Sequence, residues 1–307
     1  MRPTTTLSAL AMLAAAPALA DCDHIVFSDV GWTDITSTTA TTTFILDALG
    51  YETETIILSI PVTLQSLATG DVDVYLGNWQ PSMAADVAPY LEAGTIDTVR
   101  RNLAGAKYTL ATNAEGAALG IADFADIADH ADALADQIYG IEPGNDGNRL
   151  ILEMIEADAF DLAGFELVES SEQGMLAQVA RAETRDEPLV FLAWAPHPMN
   201  ANFDITYLSG GDDWFGPDYG GAEVYTNTPA GWVDECPNVG QFLKNLEFSL
   251  AMENEIMGAI LDDGVEPRDA ATAWLAANPE VLGPWLEGVT TIDGGDAMAA
   301  VTAALNG

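Results

Sequence analysis

Basic side chains are scarce in this 307-residue sequence, which has nine lysines and arginines against 48 aspartates and glutamates, and a formal net charge of −39. Nucleic-acid-binding proteins neutralise phosphates with a basic face, and nine scattered cations cannot build one. The composition therefore excludes nucleic acid as a partner. An acidic surface with little lysine is instead typical of saline habitats.

Catalytic and metal-binding motifs are also missing. The sequence has no nucleophile elbow, phosphate loop or HExxH pattern, and His24, His130 and His197 are far apart. The adjacent aspartates at 212–213 and 262–263 follow from the abundance of acidic residues, and such pairs usually form a solvated face. We therefore expect no catalytic residue, no metal and no cofactor.

Long apolar runs are absent after residue 21, where no segment offers the roughly 20 apolar residues of a transmembrane helix. The first 20 residues combine Arg2, an alanine-rich apolar stretch, and Ala18 and Ala20 spaced for signal-peptidase cleavage. This pattern predicts a signal peptide over residues 1–20 and a periplasmic protein. Lipidation at Cys22 is the alternative, which Asp21 before it disfavours.

Cysteine is limited to Cys22 and Cys236. An even count in an oxidising compartment predicts one disulfide between them, and the wide separation does not fit a redox motif. The chain after the predicted signal peptide exceeds the usual size of a single domain, roughly 100 to 200 residues. Two lobes are therefore expected.

Alternating strand-like and amphipathic segments organise the chain as an α/β protein. Residues 23–76 predict a βαβαβ unit with a parallel sheet, in which Asp34 caps the first helix and Gly50 ends it. A second α/β unit follows, and then mostly helical sequence from 239 to 305. We predict one lobe from residues 21–107 with 208–307, and the other from residues 108–207. A cleft between two lobes is a favoured place for a small ligand.

Tryptophans stand at three equivalent places, because Trp32, Trp79 and Trp194 each lie at the end of a predicted strand or in the turn after it. In open α/β sheets, ligands bind at the carboxyl ends of the strands. A single tryptophan there is more often a core residue, but three favour a shared site. Converging aromatic faces suit a quaternary ammonium, which donates no hydrogen bond and is held by the ring quadrupoles.

Five segments carry a resemblance to a known family, and they are FSDVGWTDIT at 27–36, LGNW at 76–79, NLAGAKYTLA at 102–111, GIEPGNDGNR at 140–149 and PHPMN at 196–200. Over essentially the whole mature chain, the sequence resembles the choline-binding members of the glycine betaine, proline and choline periplasmic binding proteins. The resemblance implies a two-lobed type II periplasmic-binding-protein fold, each lobe a mainly parallel sheet flanked by helices. It also implies capture of choline for an ABC transporter permease in the inner membrane.

The same resemblance implies a set of ligand-binding residues, namely Trp32, Asp34, Trp79, Tyr108, Asn145 and Trp194. The four aromatic residues would form a box, with Asp34 facing the positive charge and Asn145 bonding the choline hydroxyl. It also pairs Cys22 with Cys236. The sequence does not depart from the family pattern at these positions.

Charge favours choline over glycine betaine, because the betaine carboxylate requires donors and would be repelled by Asp34. Near the matching motifs the available donors are Arg149 and His197. Arg149 fits a helix salt bridge, and His197 fits a structural histidine with satisfied hydrogen bonds. Glycine betaine or another betaine of the same transporter class is therefore the alternative ligand.

Two further function classes stay open on sequence alone. A ligand-sensing subunit would use the same closure to dock on a different membrane protein, and an enzyme acting on a choline compound would need a catalytic pair that the sequence does not display. We expect a monomer that binds and releases its ligand unchanged.

Overall fold

The computed structural model describes residues 22–307, so the predicted signal peptide at 1–20 lies outside the described residues. Alternating apolar runs form nine strands, namely β1 (His24–Asp29), β2 (Glu52–Ile57), β3 (Val74–Gln80), β4 (Ile96–Asn113), β5 (Gln137–Tyr139), β6 (Glu166–Val168), β7 (Val190–Ala195), β8 (Ile205–Tyr207) and β9 (Gly221–Pro229). The buried runs in β3 and β7 are continuous, as expected for strands covered on both faces.

Helices fill the segments between the strands. The longer ones are α1 (Thr33–Ala48), α2 (Ile60–Thr69), α3 (Ala84–Glu92), α6 (Asp146–Glu156), α7 (Glu172–Arg185), α12 (Pro237–Asn245), α13 (Leu250–Leu261), α14 (Pro267–Ala277) and α16 (Ala297–Leu305). Shorter helices are α4 (Ala114–Leu119), α5 (Ala131–Leu134), α8 (Met199–Asn202), α9 (Asp212–Phe215), α10 (Pro217–Gly220), α11 (Trp232–Glu235) and α15 (Leu282–Trp285). Four short 3₁₀ segments complete the set.

The strands form one sheet in the order β2-β1-β3-β9-β4-β7-β5-β6, with β8 also paired to β4. At one end β1 is parallel to β2 and β3, and at the other end β5 is parallel to β6 and β7. The two central strands, β9 and β4, pair antiparallel with their neighbours. The predicted α/β class with parallel strands and flanking helices is confirmed, and the antiparallel centre is the feature that the sequence pattern did not predict.

Strand β4 changes partners along its 18 residues. From Ile96 to Lys107 it pairs with β9, and from Lys107 to Thr112 it pairs with β7. One continuous strand therefore belongs to both ends of the sheet. The predicted lobe boundary between residues 107 and 108 lies in this strand and stays a prediction.

A disulfide joins Cys22 and Cys236, whose Cα atoms are 5.4 Å apart. It ties a residue two positions before β1 to the residue that precedes α12, so the predicted pairing is confirmed. Within residues 22–307 the helices fall short of the length and apolarity that crossing a membrane requires.

Candidate functional site

One cavity gathers all six of the predicted ligand residues. Its lining consists of Trp32, Asp34, Trp79, Tyr108, Ile141, Asn145, Asp146 and Trp194. The space between these side chains measures about 250 Å³. The six predicted residues thus surround one shared space, together with Ile141 and Asp146.

The aromatic wall comes from the ends of two strands, the interior of β4 and the start of one helix. Trp79 lies near the end of β3, Tyr108 is directly opposite Trp194 in the pairing of β4 with β7, and Trp32 immediately precedes α1. The Tyr108 ring centroid lies 6.0 Å from that of Trp79 and 6.2 Å from that of Trp194. All four side chains are at most 5% exposed. The Tyr108 ring is therefore tilted or edge-on to its two neighbours, and all four rings border the same cavity.

Hydrogen bonds fix the polar ends of three rings. The Trp32 indole donates to Glu142 Oε1 at 2.8 Å, the Trp79 indole donates to Asp34 Oδ2 at 3.1 Å, and the Tyr108 hydroxyl donates to Asn145 Oδ1 at 2.9 Å. Buried indole and phenol groups require such partners, and these bonds hold the rings in fixed orientations. The aromatic faces are therefore left to contact whatever occupies the cavity.

Asp34 lies at the start of α1 and is 1% exposed. Burial raises the pKa of this carboxyl to about 8, with the nearby Glu172 carboxylate as the second cause. Its Oδ2 accepts the Trp79 indole, whereas its buried Oδ1 has no hydrogen-bond partner. Without a cation nearby, the carboxyl is therefore protonated at neutral pH.

The prediction that Asp34 caps α1 is wrong. Helix α1 begins at Thr33, so Trp32 occupies the capping position, two residues before Asp34, and makes no side-chain capping bond. Instead the N–H of Thr33 donates to Glu172 Oε2 at 2.8 Å. Because Asp34 lies two residues after the capping position and is bonded to Trp79, a distant carboxylate takes the capping role.

The N-terminus of α6 forms the opposite wall. Asn145 caps this helix through its Oδ1, which accepts from the N–H of Asn148 at 3.0 Å. A Cβ added at Gly147 would lie 2.1 Å from the Tyr108 hydroxyl oxygen. Only glycine leaves room here for Tyr108 to reach Asn145.

Two cavity residues were missed from the sequence, namely Ile141 and Asp146. Asp146 is 1% exposed, and burial raises its pKa to about 6. The sequence contained a signal for it, because Asp146 stands four residues before Leu150 on the buried side of an otherwise apolar helix face. An acidic residue at such a position predicts a buried carboxylate.

The two candidate donors for an anionic ligand are occupied outside the cavity. Arg149 bonds Asp86 Oδ2 at 2.8 Å and Glu153 Oε1 at 3.0 Å. His197 Nδ1 accepts from the N–H of Met199, which leaves the ring hydrogen on Nε2, 3.2 Å from Glu172 Oε1. Both therefore have structural partners, in agreement with the interpretation from sequence.

Metal binding finds no support in the described part of the chain. Within residues 22–307, His, Cys, Asp and Glu side chains form no group of three or more that could hold an ion. The acidic pairs at 212–213 and 262–263 do not line the cavity. The lining is instead mainly aromatic, with two buried carboxyl groups.

Comparison with known proteins identifies the family. The family model described as the substrate-binding domain of the ABC-type glycine betaine transport system matches residues 23–277. A stretch of 158 residues, 51% of this chain and 51% of the relative, is 29% identical to the glycine betaine/carnitine transport binding protein GbuC of Listeria monocytogenes.

Two solved structures share 68% of their sequence with this chain. An ABC-transporter choline binding protein in complex with choline superimposes with a TM-score of 0.92, over 92% of this chain and 98% of that one. An ABC-transporter choline binding protein in an unliganded semi-closed conformation superimposes with a TM-score of 0.86, over 92% of this chain and 99% of that one. The predicted periplasmic-binding-protein fold is therefore confirmed, and this chain belongs to the family of substrate-binding domains of ABC-type glycine betaine transport systems.

Proposed function

We propose that this chain captures choline in the aromatic cavity and delivers it to an ABC importer. The observation that carries the proposal is the lining itself, four aromatic side chains with a buried carboxylate on either side. Each desolvated ring contributes roughly 0.5 to 2 kcal/mol to binding a cation, so four rings supply enough for micromolar affinity at the upper end of that range. The complex of a 68% identical protein with choline supports the same ligand.

Glycine betaine is the second candidate, because it gives the family its description. The lining disfavours it, since Asp146, which is ionised at neutral pH, would face its carboxylate and no described lining residue is basic. An anion placed there would be repelled and left without strong donors. Choline carries only the positive charge and a hydroxyl, so it avoids both costs.

Ligand closure is the proposed mechanism, with residues 22–107 and 208–307 as one lobe and residues 108–207 as the other. Trp32, Asp34 and Trp79 would come from the first lobe, and Asn145 and Trp194 from the second. A ligand that contacts both walls stabilises the closed form by the difference between its closed-state and open-state affinities. The protein would bind and release choline unchanged, as a periplasmic monomer that acts with a membrane permease.

Titration of the mature protein with choline, acetylcholine, glycine betaine and proline tests the proposal. Tryptophan fluorescence should report binding, because three of the lining rings are indoles. Both fluorescence and calorimetry should give the tightest binding for choline. Glycine betaine binding as tightly as choline would reverse the order of ligands. Turnover of choline or its esters by the purified protein would show an enzyme instead.

A further inference from the structure

We propose that Asp146 is a specificity-determining residue, which accepts the hydrogen of the ligand's hydroxyl group and thereby selects alcohols over carboxylates. This inference rests on the proposed function, because it concerns the same cavity. It assigns to Asp146 a role that neither the sequence nor the aromatic box indicates. The argument depends on the hydrogen bonds at the start of α6.

Asn145 has only one hydrogen-bonding group left for a ligand. Its Oδ1 already accepts from the Tyr108 hydroxyl and from the N–H of Asn148. Its Nδ2 donates one hydrogen to Asp146 Oδ1 at 3.1 Å. An amide nitrogen carries two hydrogens, so one N–H remains. Asn145 can therefore donate to a ligand oxygen but cannot accept from it.

Asp146 supplies the missing acceptor. Its Oδ1 is bonded to Asn145, whereas its Oδ2 is buried and has no hydrogen-bond partner. The nearby Ser82 hydroxyl lowers the pKa of this carboxyl, but it donates to the Trp79 carbonyl at 3.3 Å. With a pKa of about 6, Asp146 is ionised at neutral pH and accepts hydrogen bonds at both oxygens.

A hydroxyl group fits this pair of groups because it both accepts and donates. Its oxygen would accept from Asn145, and its hydrogen would be donated to Asp146 Oδ2. A carboxylate could use only the Asn145 donor and would face a buried negative charge. A methyl group could use neither and would leave the buried acceptor unpaired.

An alternative role for Asp146 is purely structural, because acidic residues in the first turn of a helix stabilise it. That role would change stability and would weaken all cationic ligands together. The proposed role changes the ratios between ligands. Ratios of affinity therefore separate the two explanations.

The experiment measures calorimetric affinities for choline, propyltrimethylammonium and glycine betaine. Propyltrimethylammonium has the length of choline with a methyl in place of the hydroxyl. The affinity of the wild type for choline should exceed that for propyltrimethylammonium about tenfold or more, which is the scale of a hydrogen bond to a charged group. Asp146→Ala should reduce this preference to less than about threefold, and Asp146→Asn should lower the ratio of choline to glycine betaine affinity by at least about tenfold.

Glu156→Gln is the matched control, because it removes one negative charge from the exposed side of the same helix. It should leave every ratio unchanged. Unchanged ratios in both Asp146 variants, with choline still bound, would overturn the inference while leaving the proposed function intact. Failure of the wild type to bind choline would overturn the proposed function itself.

A test without variants covers the case in which they do not fold. The methyl ether of choline has an oxygen that accepts but cannot donate, and butyltrimethylammonium matches it in length. In the wild type, the affinity for choline should exceed that for propyltrimethylammonium about tenfold. The affinity for the ether should stay within about threefold of that for butyltrimethylammonium. Equal ratios for the two pairs would overturn the inference.

Discussion

Two helices begin at the cavity, and their N-termini are completed in different ways. Helix α6 is capped by its own neighbour, since Asn145 accepts from the N–H of Asn148. Helix α1 has no local cap, and the N–H of Thr33 is bonded by Glu172, 139 residues away. One wall is therefore formed by local sequence, whereas the other is completed only by tertiary contact.

The two walls therefore differ in the contacts that hold them, and the α1 wall depends on residues distant in sequence. Glu172 also accepts from the Thr33 hydroxyl at 2.5 Å and pairs with His197, and Trp32 reaches Glu142. The bonds from Thr33 to Glu172 and from Trp32 to Glu142 join the two proposed lobes around the start of α1, whereas the Glu172–His197 pair lies within one lobe. In the proposed mechanism the bonds between the lobes are lost on opening, whereas the Asn145 cap lies within one lobe and remains. We therefore propose that the α6 wall is preformed and that the α1 wall contributes to closure.

Replacing Trp32 should have the largest effect, because the substitution removes a ring of the box and the bond to Glu142. We expect Trp32→Ala to weaken choline binding about 100-fold, the sum of a desolvated cation–π contact and a charged hydrogen bond. Fluorescence titration with choline measures the change in affinity. Trp274→Ala is the control, since Trp274 lies on α14 and bonds Glu255 outside the cavity. Equal choline affinities for the two variants would contradict the site assignment.

Removing the distant cap tests the α1 wall directly. Glu172→Ala should weaken choline binding about 30-fold, because the N–H and hydroxyl of Thr33 lose the buried acceptor that they would gain on closure. Glu172→Gln should recover part of the loss, since its amide oxygen still accepts from Thr33. Glu183→Ala on the same helix should have no effect. If Glu172→Ala bound choline like the wild type, α1 would not take part in closure.

Acidification should weaken choline binding by about tenfold between pH 8 and pH 6, because a cation favours the ionised form of Asp34 and binding releases its proton. Its pKa is raised by burial to about 8. Calorimetry in buffers of different ionisation enthalpy measures the released proton. Binding that strengthens on acidification would contradict this linkage.

The same raised pKa affects the ligand-free protein. A carboxyl whose folded-state pKa lies above its unfolded value contributes stability that is fully present below about pH 4. This contribution is lost as the pH rises through about 8. The increase in thermal midpoint produced by choline should therefore be larger at pH 8 than at pH 6. Asp34→Asn should remove this difference.

The smallest expected effect is on the self-capped helix. Asn145→Ala should lower the free energy of unfolding by about 1 kcal/mol, the usual cost of losing an N-cap. Thermal unfolding of the ligand-free protein measures the change. Asn145→Ser keeps a capping oxygen and should unfold like the wild type, while its choline affinity falls with the lost amide donor. A Ser variant as unstable as the Ala variant would show that the cap is not made locally.

Much of the site could be predicted because the chemistry is local to strand ends. Trp32, Trp79 and Trp194 follow predicted strands, and parallel strands bring their carboxyl ends to one edge. Their positions alone indicated a shared aromatic site. Tyr108 and Asn145 came from the resemblance alone, because no spacing in the sequence indicates that a strand residue meets a helix cap 37 positions later.

Periodicity, cysteine count and residue type were sufficient to predict the α/β class, the disulfide and the aromatic character of the site. The burial of Asp34, the oxygen atoms that lack partners and the completion of α1 by Glu172 became apparent only in the folded protein. Local patterns could not predict them, because burial and hydrogen bonding depend on residues that are distant in sequence. The pKa values of Asp34 and Asp146 are consequences of that packing.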